Sequence, residues 1–111
     1  MANVAKGTFT IANGNISFDG KVSIDTDAKN IGKNIRFTGT YSPQQRDQDP
    51  FYNSTLTYND IGDVKGPLGF TGHIYNDKVV INLDNTITIT SSKASIAVSA
   101  DITGSGNGSV Y

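Results

Sequence analysis

The sequence predicts an all-β fold: a single small antiparallel β-barrel built as a meander of about eight strands, with a β-sandwich as the alternative. Three features support this prediction. Ile and Val are abundant, whereas Leu occurs only at Leu56, Leu68 and Leu83, and β-branched side chains favour strands. All ten acidic residues are Asp, a residue typical of turns rather than of helix surfaces. Apolar and polar residues alternate in short runs that Gly, Asn and Asp interrupt.

The stretch IANGNISF, residues 11–18, predicts the first hairpin. Asn13-Gly14 lies at its centre, and counting outward places Ile11 opposite Ile16. Both central residues tolerate positive φ, which a type I′ turn requires twice. We therefore expect one strand at residues 7–12 and a second from residue 15 to about residue 26.

The same alternation predicts the later strands. A second hairpin turns at Asn76-Asp77 and places Ile74 opposite Val79. The tract GSGNGS, residues 104–109, is expected to be a flexible C-terminal segment, and residues 1–111 to form one all-β domain. The other strands are expected at residues 34–42, 51–58, 68–74, 79–83, 86–90 and 95–103.

An aromatic-x-Gly-x-apolar pattern recurs on the face expected to point inward, at Gly20, Gly39 and Gly72. Glycine weakens a strand, so its repeated use there predicts strong coiling or the close approach of another backbone. The alternation also predicts the core: Phe9, Ile11, Phe18, Val22, Ile24, Phe37, Leu56, Phe70, Ile74, Ile81, Ile87, Ile89, Val98 and Ile102.

Composition argues against several partners and cofactors. The net charge of −1 leaves no basic patch for nucleic acid, and no apolar run is long enough for insertion into a membrane. The chain lacks Cys and Glu and has one His, so we expect neither a metal nor another cofactor. The N-terminal residues show no signal peptide, which fits either a soluble cytoplasmic protein or a mature secreted form of the kind common in bacteria.

Catalytic patterns are weak in this sequence. His73 is the single histidine, and the alternation predicts that its side chain points outward. The sequence also contains no Gly-x-Ser-x-Gly motif that would provide a serine nucleophile. Asp residues in loops leave an Asp-based hydrolase open, because two neighbouring carboxylates are the minimum for glycoside hydrolysis. The sequence nevertheless favours a non-enzymatic protein.

Tyrosines near the two longest predicted loops suggest a ligand site, since Tyr combines an apolar ring with a polar group. The loop at residues 42–50 is expected to form part of the entrance. We expect a binding module for a small amphipathic or carbohydrate ligand at a barrel mouth, with these candidate residues: Tyr41, Tyr52, Tyr58, Arg36 and His73.

The alternative is a structural or protein-interaction protein. It would associate through strand edges or through a Thr-rich sheet face, and could form a homo-oligomer. That face comprises Thr38, Thr40, Thr71, Thr86, Thr88 and Thr90.

Overall fold

The computed structural model describes residues 3–12, 14–26, 28–42, 51–75, 78–92 and 100–111, with the side chains of 11, 12, 51–53, 85 and 100 left out. Three short 3₁₀ helices, Ala28–Asn30, Ile61–Val64 and Asp84–Thr86, all lie at one end of the strands, called here the 3₁₀ end. The opposite end, where β1 turns into β2, is called the hairpin end. The strands are β1 Asn3–Ala12, β2 Asn15–Ile24, β3 Asn34–Ser42, β4 Phe51–Tyr58, β5 Gly66–Ile74, β6 Lys78–Leu83, β7 Thr88–Ser92 and β8 Ala100–Val110.

The eight strands form a closed antiparallel barrel, which confirms the predicted fold class. Both predicted hairpins have the expected register, with Phe9 opposite Phe18 and Ile74 opposite Val79. At the first turn Gly14 has a φ of 80°, a conformation that glycine adopts without steric cost.

The order of the strands differs from a simple meander. Around the barrel it is β1-β2-β3-β8-β5-β6-β7-β4, and β4 closes the ring by pairing with β1. Strand β4 therefore returns to lie beside β1, and β8 returns to lie beside β5. Each is the fourth strand of a Greek key, so the barrel consists of two Greek keys joined at the β3–β8 and β4–β7 seams.

The inward-facing side chains form one core. Described members of the predicted core are buried except Ile24, which is 43% exposed. The pairing of β1 with β2 shifts register between Val4 and Ala5, which pair with Ile24 and Val22. An irregularity of this kind interrupts the alternation of inward and outward side chains, so Ile24 does not continue the inward face of β2. The side chains of Ile11 and Val98 lie outside the described residues.

Residues 104–109 differ from the flexible tract that the sequence predicts. They belong to β8 and pair with β3 on one side and β5 on the other. Glycines at 104, 106 and 108 occupy the inward positions, while Ser105, Asn107 and Ser109 are exposed. Inward and outward residues therefore alternate as they do in a strand, and glycine occupies the inward positions that apolar side chains usually take.

Inward glycines allow backbones to approach closely, as the sequence predicts for Gly20 and Gly39. Gly7 pairs directly with Gly20, and Gly39 pairs with Gly106. A Cβ atom on Gly7 would lie 2.0 Å from the carbonyl oxygen of Asp19 and 2.4 Å from the Cα atom of Gly20. Since these neighbours are backbone atoms, a side chain fits only if the strands separate.

We expect Gly7→Ala to lower the free energy of unfolding by about 1–3 kcal/mol or more, because the added methyl group overpacks a contact between two strands. Chemical denaturation followed by circular dichroism measures this change. The matched control is Gly69→Ala, whose new Cβ atom would lie 3.4 Å from the nearest atom, Oδ2 of Asp84. Equal stability of the two variants would contradict the proposed steric role.

Candidate functional site

The outer wall of the barrel carries a groove where β6, β5 and β8 pair, called here the first groove. Its volume is about 540 Å³. Antiparallel pairing sets Val80, His73 and Asp101 side by side across the three strands, close to the hairpin end. The groove is lined by Ser42, Thr71, Gly72, His73, Tyr75, Val80, Asn82, Asp101, Ile102 and Thr103.

His73, Asp101 and Tyr75 are in contact at one end of the first groove. Nδ1 of His73 makes a close hydrogen bond with Oδ1 of Asp101. The rings of His73 and Tyr75 meet edge to face, with centroids 4.4 Å apart, a favourable arrangement of aromatic rings. Nζ of Lys78 lies 5.0 Å from the centre of the Tyr75 ring. Tyr75 nevertheless remains 41% exposed, so much of this ring is accessible to a ligand.

A second groove lies further along the same wall, between β2, β3, β8 and the start of β5. Its volume is about 600 Å³. Gly39 and Gly106 line it, and both occupy inward positions in their strands. Around them are outward hydroxyl and amide side chains; the other lining residues are Asn15, Ile16, Ser17, Thr38, Thr40, Pro67, Ser105 and Asn107.

The residues that the sequence proposes for a ligand site are not brought together at one mouth. Tyr41 is 6% exposed and lies near the hairpin end, where its backbone N–H donates to the carbonyl of Gly14. Tyr58 is 1% exposed and ends β4 at the 3₁₀ end. The side chain of Tyr52 and the loop at residues 43–50 lie outside the described part of the chain.

Arg36 and His73 also lie apart. Nη2 of Arg36 donates to Oδ2 of Asp19 at 2.9 Å, and the guanidinium group lies 5.6 Å from the centre of the Tyr111 ring. The hydrogen bond with Asp19 and the nearby Tyr111 raise the pKa of Arg36. This pair is solvent-exposed and toward the 3₁₀ end, so it has no part in the first groove. Of the proposed residues whose side chains the structure describes, His73 alone is in that groove.

Sequence reasoning did not identify Asp101 as the partner of His73. The two residues are 28 positions apart, and they meet because β8 lies beside β5 rather than beside β7. Tyr75 follows His73 by two positions, so the alternation predicts that it shares the outward face of His73, and the two rings are in contact. The predicted outward direction of His73 agrees with its place in the groove.

The 3₁₀ end contains a smaller polar pocket of about 190 Å³, and Asn3, Asp25 and Asn59 are among its lining residues. The hydroxyl of Tyr58 donates to Oδ2 of Asp25. The buried side chain of Asn3 donates to the carbonyl of Asn59 and accepts from the backbone N–H of Thr26. Burial, and then the hydrogen bond to Asp25, raise the pKa of Tyr58 far above its ordinary value. These contacts connect β1, β4 and the end of β2, so they support a structural role.

Two further findings concern the described residues as a whole. Within them, no group of three or more His, Asp, Glu or Cys side chains is arranged to hold a metal ion. None of the helices in the described segments has the length and hydropathy that a membrane crossing requires.

Comparisons with protein-family models, with curated proteins and with solved structures found no match to this chain. Functional inference therefore depends on the geometry of the barrel wall.

We expect Tyr58→Phe to lower the free energy of unfolding at neutral pH by about 1–3 kcal/mol, because a partly buried hydrogen bond to the Asp25 carboxylate is lost. A raised pKa in the folded state means that this contribution is present below the unfolded pKa of about 10 and is lost as pH rises above it. Urea denaturation at a series of alkaline pH values should therefore show a steeper loss of stability in the wild type than in Tyr58→Phe. Parallel losses would contradict this assignment, and Tyr111→Phe, at an exposed position, is the control.

Tyr41→Phe should have the opposite effect. Among the described residues, the hydroxyl of Tyr41 is buried without a hydrogen-bond partner, and burial of an unsatisfied polar group costs free energy. Removing that oxygen should leave the free energy of unfolding unchanged or raise it by up to about 1 kcal/mol. Thermal and chemical denaturation measure this change; a clear loss of stability would show that the hydroxyl makes a stabilising bond.

Proposed function

We propose that this protein is a non-enzymatic binding module for a carbohydrate ligand, held in the first groove on the outer wall of the barrel. The observation that carries the proposal is the partly exposed ring of Tyr75 beside the paired His73 and Asp101, at one end of a groove lined with hydroxyl groups.

The chemistry of the groove fits a sugar. A pyranose ring has an apolar face of C–H groups and an edge of hydroxyl groups, and each needs its own kind of partner. The Tyr75 ring offers an apolar surface, and its contact with His73 restricts its orientation. Asp101 and Asn82 offer acceptors and an amide donor within the same groove. A site of a few polar groups around an apolar surface is typical of small-ligand recognition.

The geometry gives hydrolysis little support. Nδ1 of His73 is hydrogen-bonded to Asp101. Among the described residues, no hydroxyl group is hydrogen-bonded to Nε2 of His73, so a serine or threonine nucleophile is not activated there. The side chain of Asp101 is 90% exposed, whereas the general acid of a glycosidase is usually held in a desolvated site. Binding without chemistry is therefore the function that we assign to this pair.

Association with another protein remains the alternative class. Every described strand is paired on both sides, and a closed barrel offers no free edge for strand addition. The Thr-rich face is split: Thr38, Thr40 and Thr71 line the two grooves, while Thr88 and Thr90 lie on β7 outside them. A ligand in the grooves would explain the exposed hydroxyl groups of Thr38, Thr40 and Thr71 without a protein partner.

The proposal is tested by comparing the wild type with Tyr75→Ala for binding to an array of immobilised neutral and acidic glycans. We expect the wild type to bind a subset of the array and Tyr75→Ala to bind that subset at least tenfold more weakly, as is common for an aromatic contact residue. Tyr111→Ala is the matched control, because Tyr111 is 59% exposed but lies outside the groove.

Two results would contradict the proposal. One is the absence of glycan binding by the folded wild type. The other is an equal loss of binding in Tyr75→Ala and Tyr111→Ala, which would place the ligand elsewhere. Circular dichroism of each variant excludes unfolding as the cause.

A further inference from the structure

The two grooves follow one another along the outer wall of β8. Asp101 and Thr103 line the first groove, and Ser105 and Asn107 line the second. The neighbouring strand β3 runs in register with them, since Thr103 pairs with Ser42 and Ser105 pairs with Thr40. At a rise of about 3.3 Å per residue, the wall from Asp101 to Asn107 extends for about 20 Å. A path of this length exceeds what one sugar ring needs.

The second groove is uncharged along its whole length. Among the residues that the structure describes, its polar lining consists of hydroxyl and amide groups, with no acidic or basic side chain. Thr38 and Thr40 face outward on β3, while Ser105 and Asn107 face outward on β8. Neighbouring strands lie about 4.8 Å apart, and outward residues repeat about every 7 Å along each strand. The groove therefore presents a regular array of neutral donors and acceptors.

We propose that the two grooves together bind one extended, neutral polysaccharide chain that lies along β8, with one sugar unit against Tyr75. This inference rests on the proposed function and extends it from a single sugar to a linear polymer. A nucleic acid would require basic side chains along the path, and the second groove has none. A stable protein partner would require several aromatic or Arg anchor residues, and of Tyr, Phe, Trp and Arg the described lining of the two grooves contains Tyr75 alone.

Two paired glycines lie where the strands of this wall approach each other closely. Gly39 and Gly106 are paired partners in β3 and β8 and line the second groove. A Cβ atom on Gly106 would lie 2.1 Å from the carbonyl oxygen of Thr38, so the two strands can approach only without side chains there. The second groove therefore combines a close backbone contact at Gly39 and Gly106 with short outward side chains on either side of it.

The test is a series of neutral oligosaccharides, namely cello-, manno- and malto-oligosaccharides from the monosaccharide to the hexasaccharide, titrated against the protein by calorimetry. We expect affinity for the bound series to rise with each added unit until the path is filled. The variant Thr38→Val/Thr40→Val removes two hydroxyls and keeps the β-branched shape. It should weaken binding of the hexasaccharide roughly tenfold and leave the shortest bound sugar unaffected. Thr90→Val, on the outer wall but outside both grooves, is the control.

The outcomes separate this inference from the proposed function. Affinity that stops rising at the disaccharide, or a hexasaccharide affinity that the double variant leaves unchanged, would overturn the extended path while a single-sugar site at Tyr75 survives. If the wild type binds no oligosaccharide of any series and no glycan of the array, both proposals fall together. Thermal denaturation of the double variant confirms that its fold is intact.

Discussion

Close contact between neighbouring backbones is the constraint on which this barrel depends. Gly7 faces Gly20, and Gly39 faces Gly106. A Cβ atom on Gly7 or on Gly106 would lie 2.0 or 2.1 Å from a backbone oxygen, far inside van der Waals contact. These pairs let the strands coil tightly enough to close the ring around a core of Phe, Ile, Leu and Tyr side chains. Each glycine costs conformational entropy on folding, so the packing of this core has to offset that cost. The same contacts shape the outer wall.

The topology has an internal two-fold relation that explains the position of the grooves. Strands β1 to β4 and strands β5 to β8 form Greek keys with the same order, and the fourth strand of each pairs with the third strand of the other. The two seams are therefore equivalent in topology but different in chemistry. At the β4–β7 seam, Ser54 and Ser91 share a buried hydrogen bond of 2.8 Å. At the β3–β8 seam, the inward glycines of β8 face Phe37, Gly39 and Tyr41 of β3, and hydroxyl and amide side chains face outward around the second groove. The β3–β8 seam thus carries the second groove.

Local parts of this fold could be predicted from the sequence, and long-range parts could not. Both hairpins follow from turn residues and from apolar residues at matched distances, because a short turn fixes the register of its own two strands. The place of β8 between β3 and β5 depends on contacts across most of the chain, for which no local pattern exists. Residues 104–109 have a composition typical of linkers, yet their alternation of glycine and polar residues is that of a strand. His73 was a candidate by residue type, whereas its partner Asp101 becomes visible only with the strand order.

The proposed site lies on paired strands, which has a consequence for how it would bind a ligand. The outward Thr and Ser side chains are short, and the strands that carry them are hydrogen-bonded on both sides, so little backbone or side-chain freedom remains to be lost when a ligand arrives. The Tyr75 ring is similarly restrained by His73 and Lys78. A rigid wall of neutral hydroxyl groups gains modest free energy from each hydrogen bond, because each one replaces a bond to water. Under the proposed function, affinity beyond the Tyr75 contact would have to come from the number of contacts along the wall, so the length of the path along β8 would set how tightly a polymer binds.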